Sequence, residues 1–153
     1  MNFLQRYTDA HKADFITRYP NSWNDGHYSP PVVPKWQTAN GLTRFIVNYL
    51  LWNGHRATRI AATGRLIDSG MAMESGIRLK GKKWIKGSTR SGSADISATI
   101  KGRSVMIEVK IGKDKPSEQQ LREQALELKA GGIYCFIKDP VGFFELYDQI
   151  INP

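Results

Sequence analysis

The residues best suited to chemistry lie in one stretch, GSADISATIKGRSVMIEVKIGK, residues 92–113. In a strand, residues i and i+2 share a face, so Glu108 and Lys110 project together while Ile107 and Val109 point the other way. A hairpin turning at Lys101, Gly102 and Arg103 brings Asp95 across from them, to within about one residue of register. Two carboxylates and one ammonium then converge at a single corner. With a backbone carbonyl such as that of Val109, the carboxylates offer oxygen ligands to a hard cation like magnesium, which keeps several waters. Such an ion polarises a phosphoryl oxygen and lowers the pKa of a bound water. Lys110 can hold that water or stabilise charge building on a phosphate. The pattern predicts metal-assisted hydrolysis; the alternative is a surface ion pair, since Glu and Lys two apart on a strand are common.

The elements that must position these groups are legible around them. Residues 94–100 and 104–109 flank the glycine-containing turn and read as a β-hairpin. Leu42, Phe45, Ile46, Tyr49 and Leu50 form one apolar stripe of an amphipathic helix that opens at residues 39–40 and ends at Gly54. Asn40 stands where an N-cap or first-turn residue belongs. Residues 56–62 read as a strand, and residues 77–85 as a further one. After Gly112, Ser117 with Gln120 is a capping box, and Gly131-Gly132 supplies the helix stop. Residues 133–137, IYCFI, are short and apolar enough for a buried strand, and residues 141–150 for a closing helix. The order is helix, three or four strands, helix, strand, helix: an α/β domain around a mixed sheet. Residues 1–37 read instead as an arm. Four of the seven prolines fall within residues 20–36, punctuated by Trp23, Tyr28 and Trp36, which are suited to pinning the arm onto the domain or a second subunit.

Gly92, Asp95-Ile96, Ile107-Glu108-Val109-Lys110, Ser117 with Gln120, and Gly131-Gly132-Ile133-Tyr134 together resemble the PD-(D/E)XK nucleases. Within them the chain is most similar to the virus-type replication-repair nuclease group (VRR-NUC), and more distantly to the archaeal Holliday-junction resolvases. The resemblance covers about residues 38–147. It implies a restriction-endonuclease-like core of mixed sheet flanked by helices, over a domain of residues 38–153. It implies that Asp95 and Glu108 bind Mg2+ (or Mn2+), that Lys110 is the catalytic lysine, and that Gln120 belongs to the site. Many relatives carry a glutamate on the first helix; here no acid lies between Asp25 and Asp68, and Asn40 is the nearest equivalent, either a site residue or an N-cap. The resemblance points to branched DNA such as Holliday junctions, and to DNA repair or recombination in a bacterial or phage-infected cell.

Charge agrees with a polyanionic partner. The chain of 153 residues has a net charge of +8, and the excess lies in its middle: residues 41–113 carry +10, against +1 before them and −3 after them. Arg78, Lys80, Lys82, Lys83, Lys86 and Arg90 interleave with Trp84 and no acid, a composition suited to phosphate contact and base stacking. Arg59 and Arg65 precede them as further DNA-binding candidates. The bland alternative is a solvated basic loop. His11, His27 and His55 lack metal-ligand spacing, and the single cysteine, Cys135, lies in the apolar run as an inert thiol. No phosphate-binding glycine loop, secretory signal or membrane-spanning run is evident, so a cytoplasmic location is expected. The sequence therefore predicts a magnesium- or manganese-dependent DNA endonuclease, acting as a homodimer on branched duplexes. Its alternative is a non-catalytic nucleic-acid binding module on the same fold.

Overall fold

A computed structural model describes residues 2–60 and 92–153 in full and, between them, the backbone of four short strands. The elements in chain order are α1 (Phe3–Arg18), α2 (Pro20–Asn24), α3 (Ala39–Trp52), β1 (Arg56–Arg59), β2 (Arg65–Asp68), β3 (Met71–Ala72), β4 (Arg78–Leu79), β5 (Lys82–Ile85), β6 (Ile96–Ile100), β7 (Arg103–Val109), α4 (Glu118–Lys129), β8 (Ile133–Ile137) and α5 (Pro140–Ile151). The central sheet has the order β1-β6-β7-β8, while β2 pairs with β5 and β3 with β4 as separate two-stranded ribbons. β1, β6 and β7 are antiparallel neighbours; β8 runs parallel to β7, as a strand reached through the α4 crossover must. This is a mixed α/β fold, a four-stranded mixed sheet flanked by helices.

Local chemistry explains each boundary near the site. Lys101 and Gly102 both have positive φ, 50° and 78°, and form a two-residue turn whose handedness matches the twist of the strands it joins. Arg103 pairs with Ile100 and so belongs to the strand, making the turn one residue shorter than the sequence suggested. Ser117 caps α4 with both halves of the capping box formed. At the other end of α4, Gly131 at φ 84° lets its own N–H reach the Leu128 carbonyl and the Gly132 N–H reach that of Glu127.

One face of the sheet is apolar. Ile96, Ala98 and Ile100 of β6 and Val105, Ile107 and Val109 of β7 are buried against Leu42, Phe45, Ile46, Tyr49 and Leu50 of α3 and Phe143, Phe144, Tyr147 and Ile150 of α5. The predicted α3 stripe is thus entirely core. The opposite face carries the alternate residues, among them Glu108, and α4 packs along β8 there.

The N-terminal segment differs from the expected arm. Phe3–Arg18 is a helix packed on α3, and Tyr7 is fully buried in the core. Its ring stacks on Phe45 at 4.2 Å between centroids and meets Trp52 edge-on at 4.8 Å. Arg6 fixes the helix to α5 through two bonds to Asp148, 2.8 and 2.5 Å, with its guanidinium 4.1 Å over the Phe144 ring. Trp36 packs on Phe3, Tyr28 on His11 and Phe15, and Trp23 on Tyr28. Trp23, Tyr28 and Trp36 are half-buried, and each has a ring partner within its own chain, so they pin this segment onto its own domain.

Beyond Gly54, His55 lies with Nε2 3.0 Å from the Tyr147 hydroxyl, and burial, then Lys101, holds its pKa below the ordinary histidine value. A depressed histidine stabilises the fold above its unfolded pKa of about 6.5 and loses that contribution as pH falls below it. Thermal melts from pH 8 to pH 5 should therefore show a small decline that His55→Gln flattens.

Candidate functional site

Two strand ends and one helix start build the corner. The β6–β7 register pairs Ile96 with Ile107, so the next pair outward sets Asp95 opposite Glu108, as the sequence spacing required. The Asp95 carboxylate accepts the Val109 N–H at 2.9 Å, and the Asp95 carbonyl accepts the Ile60 N–H at 2.7 Å, tying β1, β6 and β7 together at this end. The N–H and C=O of one strand residue point to the same side, so the Val109 carbonyl is directed toward Asp95. The Lys110 N–H goes the other way, to Ile137 at 2.8 Å.

Glu108 and Lys110 do not form a surface ion pair. Their exposures are 6% and 5%, and among the described residues only Thr43 joins them as a buried polar or charged side chain. Lys110 Nζ lies 3.2 Å from Glu108 Oε1 and 3.4 Å from Asp114 Oδ2. Burial, and then the Asp95 charge, push the Glu108 carboxyl above its ordinary value, while Lys110 and Gln120 pull it back. Lys110 is the cation that faces this buried carboxylate.

Gln120 serves both roles that the sequence left open. Its Oε1 accepts the Ser117 N–H at 2.9 Å, completing the cap, and its Nε2 donates to Glu108 Oε1 at 2.5 Å. Gln119 turns to the loop, where a side chain at Gly92 would meet the Gln119 backbone oxygen at 2.9 Å; with φ 84°, that position admits glycine. Tyr134 donates its hydroxyl to the Gly92 carbonyl at 3.2 Å. Burial, then Glu108, Asp95 and Glu123, hold this phenol well above its ordinary pKa, so it stays neutral beside the corner.

Asn40 is not the N-cap. Thr38 takes that position, accepting the Gly41 N–H at 3.1 Å. Asn40 Oδ1 instead accepts from Arg59 Nη2 at 2.5 Å, an exposed contact that brings no charge to the Glu108 carboxylate. Of the DNA-binding candidates, Arg59 is described and exposed. For Arg65, Lys82 and Lys83 the backbone alone is described, in the β2–β5 ribbon, and Lys86 and Arg90 lie outside the described residues. Cys135, expected to be buried, is half-buried on the outer strand β8, and burial raises its thiol to about 12, which leaves it inert. Asp114 was not foreseen; its only trace in the sequence is a spacing of four from Lys110 across Gly112, whose φ of 61° turns the chain back.

The donor set suits a hard cation that retains waters: two carboxylates and one carbonyl, all oxygen. Among the described residues, no group of three or more His, Cys, Asp or Glu side chains comes together in a way that could hold a metal ion. Among them also, no helix is long and apolar enough to cross a membrane. The chain matches no protein-family model and no curated protein.

Proposed function

We propose that this chain is a magnesium- or manganese-dependent DNA endonuclease with a PD-(D/E)XK core. The observation that carries the reading is the buried Glu108–Lys110 pair facing Asp95 at one sheet end. Burying charges costs several kcal/mol per ion, and a hydrophobic pair of similar volume is often as stable or about 1–4 kcal/mol more so; functional corners are where such a cost is retained. The metal ligands are Asp95, Glu108 and the Val109 carbonyl. A cation bound there supplies a polarised water and neutralises charge at the attacked phosphate. Lys110, held between Glu108 and Asp114, aims its ammonium at the attacking water or at the developing negative charge. Gln120 fixes the rotamer of Glu108, and Tyr134 fixes the Gly92 loop that leads into Asp95.

Substitutions on α4 separate positioning from capping. Ser117→Ala removes a cap worth about 1 kcal/mol but leaves the Gln120–Glu108 bond available. Gln120→Ala keeps the bond from its own backbone N–H to the Ser117 hydroxyl but loses the reciprocal bond to the Ser117 N–H and the Glu108 contact, and its cleavage rate should fall a further ~10- to 100-fold, the range seen when a ligand loses its orienting partner. Equal rates in the two variants would assign Gln120 to the cap alone.

The substrate proposed is branched duplex DNA, cut by a two-fold dimer, because one chain has a single Asp95, Glu108 and Lys110 set and a junction has two equivalent strands. The test is a cleavage panel of four-way junction, linear duplex and single strand in Mg2+, with sedimentation of the protein–junction complex. Preferential junction cutting by a dimer is expected. Metal-independent binding with no cutting of any substrate would favour the binding-module alternative.

A further inference from the structure

At the same sheet end as the corner, on the opposite, α3 face, lies a cavity of about 160 Å³ lined by Thr43, Arg44, Val47, Asn48 and Arg59. Its floor is already satisfied: the Thr43 hydroxyl donates to the Ala39 carbonyl at 2.8 Å, and the Asn48 amide donates to the Tyr7 hydroxyl at 3.3 Å. Its rim is cationic. Arg59 is steered there by its bond to Asn40, and Arg44, exposed on α3, meets no carboxylate among the described residues. The first turn of α3 adds no acid. Two guanidinium groups sharing one small cavity repel each other unless an anion lies between them, and the arginine fork matches the oxygens of a phosphate.

We propose that Arg44 and Arg59 form a subsite for a non-reacting phosphate of the DNA strand being cut. This rests on the nuclease reading and adds to it the point at which the strand is gripped away from the reacting bond. Position supports it. Arg59 ends β1, and the next residue, Ile60, donates its N–H to the Asp95 carbonyl, so the subsite and the metal corner share one sheet end. Arg59 pairs with Ile96, the residue after Asp95; its side chain lies on the α3 face and that of Asp95 on the opposite face, so a DNA strand passing over this sheet end meets both. Asn40 thereby has a role: in place of an acidic ligand, it orients an arginine toward substrate.

The test is binding of short duplex DNA without divalent metal, across a salt series, for wild type and Arg44→Gln/Arg59→Gln. Both side chains are exposed, and circular dichroism checks the fold. Loss of the phosphate contact should reduce the salt slope by about 0.9. A methylphosphonate, which is neutral, is then placed at successive positions of one strand. One position should weaken binding by wild type and leave the double variant unaffected. Equal sensitivity of the two proteins at every position, or an unchanged slope, would overturn the subsite. Metal-dependent cutting by wild type, assayed in parallel, separates that result from a failure of the nuclease reading, in which wild type would not cut at all.

Discussion

Replacing Glu108 with alanine should abolish metal-dependent DNA cleavage, because one of the two carboxylates that would hold the cation is lost. DNA binding should be equal or tighter, because a negative charge beside the phosphates is gone. Asp95→Ala should behave in the same way. Lys110→Ala should also be inactive, but bind slightly more weakly, since a cation is removed. Because Glu108 is a buried partner of Lys110, its loss leaves the ammonium with Asp114 as its one carboxylate partner among the described residues. Glu108→Gln is therefore the companion variant: it keeps the shape and the Gln120 contact while removing the charge. Cleavage lost in both variants, with melting curves retained in the second, assigns the effect to chemistry. A Glu108→Gln protein that cuts at the wild-type rate would show that the carboxylate is not a ligand.

The second large effect is on stability. Tyr7→Ala should destabilise the protein by about 3–5 kcal/mol, the usual cost of emptying a buried aromatic site. Tyr7 has no exposed surface, stacks on Phe45, packs on Trp52 and receives a hydrogen bond from Asn48. Denaturant unfolding of wild type and variant measures this directly. A change under about 1 kcal/mol would mean that residues 3–18 are a detachable arm and not part of the core.

That contrast shows where the sequence is readable. The β6–β7 turn, the Ser117 cap and the α3 stripe were legible because each is a local pattern: two residues at positive φ, a reach of three, a repeat of three and four. The pairing of Asp95 with Glu108 followed from counting along a hairpin, which fixes register once its turn is known. α1 was not legible by the same rule, because polar residues surround its few apolar ones. Yet Phe3, Tyr7, His11 and Phe15 recur every four residues, and Phe3, Tyr7 and His11 each meet an aromatic ring from a distant part of the chain. The proline-rich stretch after it drew the whole segment toward an irregular reading, though Pro20 opens a short helix, α2.

Other features depend on the tertiary fold and have no local trace. Arg6 and Asp148 lie at opposite ends of the chain and meet only because α1 and α5 pack side by side. Asn40 and Arg59 are joined across the gap between α3 and β1. The burial of Lys110 could not be read from a Glu-x-Lys spacing that also occurs on solvated sheets; it arises because α4 and the loop at Gly112 fold over that strand end.

The most direct test of the central claim is cleavage of DNA by purified wild-type protein and Glu108→Gln side by side, in Mg2+ and in excess chelator. Wild type should produce nicked or cut DNA in Mg2+ and none in chelator, with the variant inactive in both. Cutting that persists in chelator, or that the variant matches in Mg2+, would contradict a metal-dependent nuclease centred on Asp95, Glu108 and Lys110.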